Sequence, residues 1–126
     1  MLTESMEDYL ETIYRLVKEK RYIRAVDIAG VLSVQASSVT RMIQKLSDGG
    51  YVNYEKYRNI ALTSLGERYG RFLAWRDGTL ERFLYLLSPD MGVKDQVEGI
   101  EHYITPVTMG LIQNLIGYFT ANPDAL

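Results

Sequence analysis

Cysteine is absent from this 126-residue chain, which excludes a disulfide framework, a thiolate metal site and a cysteine nucleophile. Histidine is nearly absent: with only His102 to supply nitrogen, any bound metal must be held mainly by oxygen. Nor does any stretch reach the roughly 18 uninterrupted apolar residues of a membrane span. The run from Met1 to Glu11 is acidic, where an export signal is basic and then apolar. A cytoplasmic protein with no membrane segment is expected. Net charge is also low, at −2, which argues weakly against nucleic acid until its distribution is considered. From Arg15 to Arg71 there are eleven Lys and Arg against five Asp and Glu, a local +6, whereas the flanks hold three basic and eleven acidic residues, a local −8. One part suits phosphates and the other suits cations.

What is present is 47% hydrophobic residues, enough for one sizeable core and at most a small second lobe. Met6, Tyr9, Leu10, Ile13, Tyr14 and Val17 recur at spacings of three and four, predicting an amphipathic helix from Ser5 to Glu19 with Ser5 as N-cap. A short helix is expected over Val26–Leu32, then a tight joint at Ser33–Ala36 and a third helix over Ser37–Leu46 whose Val39, Met42, Ile43 and Leu46 face inward. That is the helix-turn-helix plan. After Gly49-Gly50 the period shortens to β-like runs at Tyr51–Tyr54 and Ile60–Thr63 around a basic turn, which read as a wing. Ser64 to Glu67 has capping-box spacing and opens a long helix. A short helix around Asp95–Tyr103 and a last one from Thr105-Pro106 to Asn122-Pro123 follow. The expected fold is mainly α: a winged helix-turn-helix domain over residues 1–70 and a helical metal-binding and dimerisation domain over 71–126.

Once the apolar stripe of the third helix is buried, Ser37, Ser38, Thr40, Arg41, Gln44 and Lys45 remain outside, and each can donate a hydrogen bond. Arg41 and Gln44 can reach base edges. Ser37, Ser38, Thr40 and Lys45 suit phosphates or bases near the helix start, and Lys56 and Arg58 in the wing suit backbone phosphates. Such residues also solvate ordinary helices; the preceding helix, tight turn and basic wing in sequence are what favour double-stranded DNA.

The acidic flanks hold a second constellation. Glu98, Glu101 and His102 stand at i, i+3 and i+4, so one helix would bring all three to one face. Asp8 and Glu11 repeat the i, i+3 spacing on the first helix, and Asp77 adds an acid midway along the long one. Carboxylates with one imidazole suit Mn²⁺, Fe²⁺ or another hard divalent cation. Plainer roles are available: Asp8 can complete a capping box with Ser5, Glu11 can pair with Arg15, and Asp77 can be helix surface beside Arg76 and Glu81.

The order of the pieces decides between these. Ser-Met-Glu-Asp-Tyr-Leu-Glu at 5–11, Ser-Ser-Val-Thr-Arg-Met-Ile-Gln-Lys-Leu at 37–46, Tyr-Glu-Lys-Tyr-Arg at 54–58 and Val-Glu-Gly-Ile-Glu-His at 97–102 occur together. This resembles the manganese transport regulators of the diphtheria toxin repressor family of metal-dependent transcriptional repressors, from about Ser5 to Phe119. The resemblance implies a homodimer that represses metal-uptake genes by binding operator DNA when Mn²⁺ is bound, one or two ions per subunit. It implies ligand roles for Asp8, Glu11, Glu98, Glu101 and His102, and places the Met109–Phe119 helix in the dimer interface. Aspartate at position 8, where iron-sensing relatives carry methionine, points to manganese. The long helix departs from the pattern, with Asp77 where the family has histidine. Aspartate can ligate, yet it is shorter and adds charge, so an altered or lost metal response is the alternative reading. Two other classes compete: a small di-metal hydrolase on the same carboxylates, for which no substrate pocket can be read, and a dimerisation module with no DNA role. The expectation is a regulator and not an enzyme.

Overall fold

The computed structural model describes residues 2–55, 58–89 and 92–126. It divides into two compact units, Met1–Ala74 and Trp75–Leu126, and the division falls within a single long helix. The first unit holds α1 (Glu4–Glu19), α2 (Ala25–Leu32), α3 (Ala36–Asp48), strands β1 (Val52–Tyr54) and β2 (Ile60–Leu62), and the start of α4 (Ser64–Leu87). The second holds the rest of α4, α5 (Val93–Ile100), a 3₁₀ turn at Glu101–Tyr103, α6 (Pro106–Ala121) and a closing 3₁₀ turn at Pro123–Ala125.

In the first unit the predicted stripes turn inward. Leu10, Ile13 and Leu16 of α1, Ile28 of α2, and Val39, Ile43 and Leu46 of α3 meet Ile23, Val52, Ile60 and Leu73 in one core. Each such side chain contributes about 1.5–3 kcal/mol by leaving water. The cap of α1 is Thr3 and not Ser5: the Thr3 hydroxyl accepts from the Met6 amide at 3.2 Å. Ser5 is already helical, so Asp8 has no part in a capping box. The start of α4 shows the same displacement, since the Thr63 hydroxyl accepts from the Gly66 amide at 3.0 Å. Either hydroxyl in a Thr-x-Ser or Thr-Ser pair can cap, and spacing alone does not separate them.

The wing is an antiparallel pair with Val52 opposite Leu62 and Tyr54 opposite Ile60. Two strands of three residues are marginal alone. They are fastened to the α1–α2 linker, because the Ile60 amide donates to the Ile23 carbonyl at 2.8 Å and the Asn59 side-chain oxygen accepts from the Ile23 amide at 2.8 Å. Gly50 takes a left-handed φ of 82° after α3, which a side chain would oppose. Gly66 lies so close to Tyr51 that an added Cβ would overlap the Tyr51 carbonyl oxygen.

Glu67 does not act in a capping box but ties α4 to α1, accepting from Lys18 Nζ at 2.8 Å. That hydrogen bond holds the Glu67 carboxyl below its ordinary 4.5 and raises the Lys18 ammonium above its ordinary 10.5. Because the Glu67 value is depressed in the fold, its contribution is present above pH 4.5 and is lost as pH falls through the folded value. The Lys18 contribution is complete below 10.5 and is lost as pH rises through the folded value. Thermal melts should therefore show the native chain losing stability on acidification below about pH 4.5 relative to Glu67→Gln; parallel pH profiles for the two would show that the tie contributes nothing.

In the second unit the buried apolar side chains are Leu80 of α4, Val93 and Val97 of α5, and Met109 and Ile116 of α6, with Arg76, Thr79 and Glu101 the buried polar ones. Thr105 caps α6, accepting from the Thr108 amide, and Pro106 fills its first turn. The expected helix over Asp95–Tyr103 is corrected. The α-helix ends at Ile100, where φ is −122°, and Glu101–Tyr103 tightens into the 3₁₀ turn. On α6 only Met109 and Ile116 are buried; Val107, Leu111, Leu115 and Tyr118, spaced at four, four and three, are 41–76% exposed. The helix therefore has two apolar faces, one turned inward and one turned to solvent.

Candidate metal centre and nucleic-acid interface

α3 carries the predicted reading face. Ser37, Ser38, Thr40, Arg41, Gln44 and Lys45 are all exposed, while Val39, Ile43 and Leu46 are buried beneath them. Thr40 donates back to the Ala36 carbonyl at 3.1 Å, and the Gln44 amide reaches Asp48 Oδ1 at 2.9 Å. Both are local bonds on the solvent side, which a base or phosphate can exchange for its own at little net cost. In the wing, Arg58 is exposed with φ at 60°, and its guanidinium carbon stands 5.7 Å from the Tyr54 ring centroid. Lys56 lies outside the described residues, as does Asp90.

The acidic residues fall in both units. In the first, Asp8 is exposed on α1 and Glu11 is half-buried one turn on. Glu11 does pair with Arg15, whose Nη2 lies 2.9 Å from its carboxylate. That pair lies on the surface and is worth little energetically, so it does not reserve Glu11. In the second unit α4 and the 3₁₀ turn bring acids together. Asp77 and Glu101 each offer a carboxylate oxygen within 4.8 Å of the other, and Glu101 stands in the same relation to a ring nitrogen of His102. The Glu101 Oε1 to His102 Nε2 distance is 3.8 Å. Glu101 is the shared member of both pairs and is only 4% exposed. Glu98 lies on the exposed face of α5, outside this group. The break at Ile100 explains the separation: the 3₁₀ turn rotates Glu101 and His102 away from the angular position that a continuous α-helix would give them.

Two anionic oxygens held this close in a buried setting repel one another, and the donors are hard oxygens with one borderline nitrogen. The set fits a divalent cation of the Mn²⁺ or Fe²⁺ kind and does not fit a thiolate-seeking one. Arg76, which the sequence leaves on the helix surface, is buried; nothing in its spacing signals this, because α4 carries apolar residues on several faces.

Comparison with known proteins agrees with both halves. Residues 1–60 match the iron dependent repressor N-terminal DNA binding domain, and residues 63–126 match the iron dependent repressor metal binding and dimerisation domain. The HTH-type transcriptional regulator MntR of Bacillus subtilis (strain 168) is 47% identical over 120 residues, covering 94% of this chain and 84% of the relative. The same protein of Bacillus velezensis matches equally, at 47% over 120 residues. Among solved structures, T. acidophilum IdeR superposes with a TM-score of 0.74 at 29% identity, covering 93% of this chain and 55% of that one. ScaR with bound Zn²⁺ gives 0.74 at 26% identity, covering 90% and 54%, and the manganese regulator SloR gives 0.68 at 25%, covering 90% and 54%. The chain thus spans about half the length of these solved structures. No helix among the described residues is long and apolar enough to cross a membrane. With a helix-turn-helix reading face and an acidic centre in the same chain, and with family matches over both, this protein belongs to the iron-dependent repressor family of metal-dependent, DNA-binding transcriptional regulators and is not an enzyme.

Proposed function

We propose that the chain is a cytoplasmic Mn²⁺-responsive repressor of metal-uptake genes, acting as a homodimer on operator DNA. The observation that carries the metal reading is the buried Glu101, with Asp77 on one side and His102 on the other. The ligands we assign are Asp8 and Glu11 on α1, Asp77 on α4, Glu98 on α5, and Glu101 and His102 on the 3₁₀ turn, for one or two ions per subunit. A bound divalent ion supplies the positive charge that lets these carboxylates share a small volume. Without it their mutual repulsion opposes any arrangement that gathers them, and the two recognition helices of a dimer lack a fixed spacing. The choice of manganese is supported by the oxygen-rich donors and by kinship with MntR; relatives described as a manganese regulator point the same way.

The dimer is assigned to the outward apolar face of α6, Val107, Leu111, Leu115 and Tyr118. In a monomer this stripe would stand in water, and two copies related by a two-fold axis would bury it against itself. Each dimer then presents two α3 helices, with Arg41 and Gln44 at base edges and Ser37, Ser38, Thr40, Lys45, Lys56 and Arg58 at backbone or neighbouring positions. Recognition helices about 34 Å apart fit successive major grooves of a palindromic operator.

One observation keeps a second reading in view. The carboxylate that Asp77 sets beside Glu101 occupies a place where the resemblance expects an imidazole, and the added charge favours an altered or weaker metal response. The deciding experiment is fluorescence anisotropy on promoter DNA of metal-uptake genes, with Mn²⁺ and with chelator. The expected result is tightening by roughly 5- to 150-fold on adding Mn²⁺, the usual range of allosteric coupling. Equal affinity in both conditions, restored to Mn²⁺ dependence in Asp77→His, would establish the second reading instead.

A further inference from the structure

A cleft of about 540 Å³ opens between the start of α2, the reading face of α3 and the wing, lined by Arg24, Ala25, Val26, Thr40, Tyr54 and Arg58. It contains two arginines and no acid. Among the described residues neither arginine forms an ion pair with a carboxylate, although Asp27 is near enough to Arg24 to feel its charge. Asp27 is itself engaged elsewhere, accepting from the Arg24 backbone amide at 2.9 Å and from Lys20 at 3.0 Å. Two uncommitted guanidinium groups facing one cleft are costly in self-repulsion unless an anion is meant to lie between them.

The geometry of a duplex supplies that anion. When α3 enters the major groove, one phosphodiester strand borders the groove on each side, and a wing reaching the neighbouring minor groove must lie across one of those strands. The cleft lies between the reading helix and the wing, where that strand has to pass. Thr40 belongs to the reading face, so the cleft is continuous with it. Arg58 is held in two ways: its backbone adopts a left-handed φ of 60°, which a non-glycine residue tolerates only at a cost, and its guanidinium stands over the Tyr54 ring. Both features restrict where its charge points.

We propose that this cleft seats a backbone phosphate of the bound duplex, with Arg24 as a phosphate contact beyond the reading-helix and wing residues assigned above and Tyr54 as the residue that positions Arg58. The inference rests on the DNA-binding reading and extends it to the strand between the two grooves. Arginine contacts to phosphate are independent of sequence and are read in the salt dependence.

The test is anisotropy with the Mn²⁺-loaded full chain on two duplexes of equal length and unrelated sequence, over a series of salt concentrations. Arg24→Gln is expected to reduce the slope of log affinity against log salt by about 0.9, the value for one lost phosphate contact, and to weaken both duplexes by the same factor. Arg24→Lys should restore the slope, and Lys94→Gln, which removes an exposed charge from α5, should leave it unchanged. Arg24→Met, which keeps the aliphatic stem, repeats the measurement if Gln disturbs the start of α2 by circular dichroism. Tyr54→Leu should weaken binding and add nothing when combined with Arg58→Gln. A native slope in folded Arg24→Gln, or a loss confined to one duplex, overturns the phosphate seat alone; additive losses in the Tyr54 and Arg58 pair overturn the positioning role. A native chain that binds neither duplex overturns the DNA-binding reading together with the seat.

Discussion

Glu101→Ala is expected to abolish the metal response while leaving metal-free DNA binding where it was. The native gain on adding Mn²⁺, about 1–3 kcal/mol of coupling, should fall to nothing measurable by anisotropy, and calorimetry should show metal affinity reduced at least as far as loss of an outer-sphere partner would reduce it, about 10- to 100-fold. Glu101 is singled out because it is buried and shared between the Asp77 and His102 pairs. Glu98→Ala, on the exposed face of α5, should cost less. A Glu101→Ala chain that still tightened on DNA with Mn²⁺ would move the centre away from the 3₁₀ turn and refute the assignment.

Gly66→Ala is expected to be the most damaging single methyl group in the first unit. The added Cβ would overlap the Tyr51 carbonyl oxygen and press the Tyr51 carbonyl carbon at 2.9 Å. Both are backbone atoms at the root of β1, so relief requires α4 to separate from the wing. Overpacking costs typically about 1–3 kcal/mol, and a clash with backbone belongs at or above the top of that range, lowering the melting temperature by roughly 10 °C. Gly78→Ala is the internal control. It lies in the same helix, nothing stands within 4 Å of its added Cβ, and replacing a mid-helix glycine gains about 0.8–1 kcal/mol of helix propensity. Equal melting temperatures for the two variants would contradict the close approach of α4 to Tyr51.

The helix-turn-helix and wing were legible because their information is local. The stripe Val39, Ile43 and Leu46 fixes which face of α3 is buried, and its complement is the exposed polar set that the structure shows. Glycines at 49 and 50 end α3 as their backbone freedom predicts. Where two hydroxyls stood close together, as with Thr3 and Ser5 or Thr63 and Ser64, spacing chose the wrong cap, since the choice depends on backbone angles that the sequence does not display. The acidic centre was legible only in part. Helical spacing put Glu98, Glu101 and His102 on one face, but the helix changes to 3₁₀ after Ile100 and leaves Glu98 outside the group. Approach of Asp77 to Glu101 is a tertiary fact, separated by a turn and a helix in sequence, and no periodicity encodes it. The burial of Arg76, the outward stripe of α6 and the bond from Ile23 to Asn59 are of the same kind.

The fastening of the wing at Ile23 has a mechanical consequence. The wing hangs from the linker by two backbone-directed hydrogen bonds of 2.8 Å, and that linker begins directly after α1, the helix that carries Asp8 and Glu11. A load placed on the hairpin by a DNA strand is therefore delivered to the end of α1 and is not dissipated in a floppy loop. By reciprocity, anything that tenses or relaxes α1 at its acidic end is felt at the hairpin. Wing and acidic helix are two ends of one lever, with Asn59 as its pin.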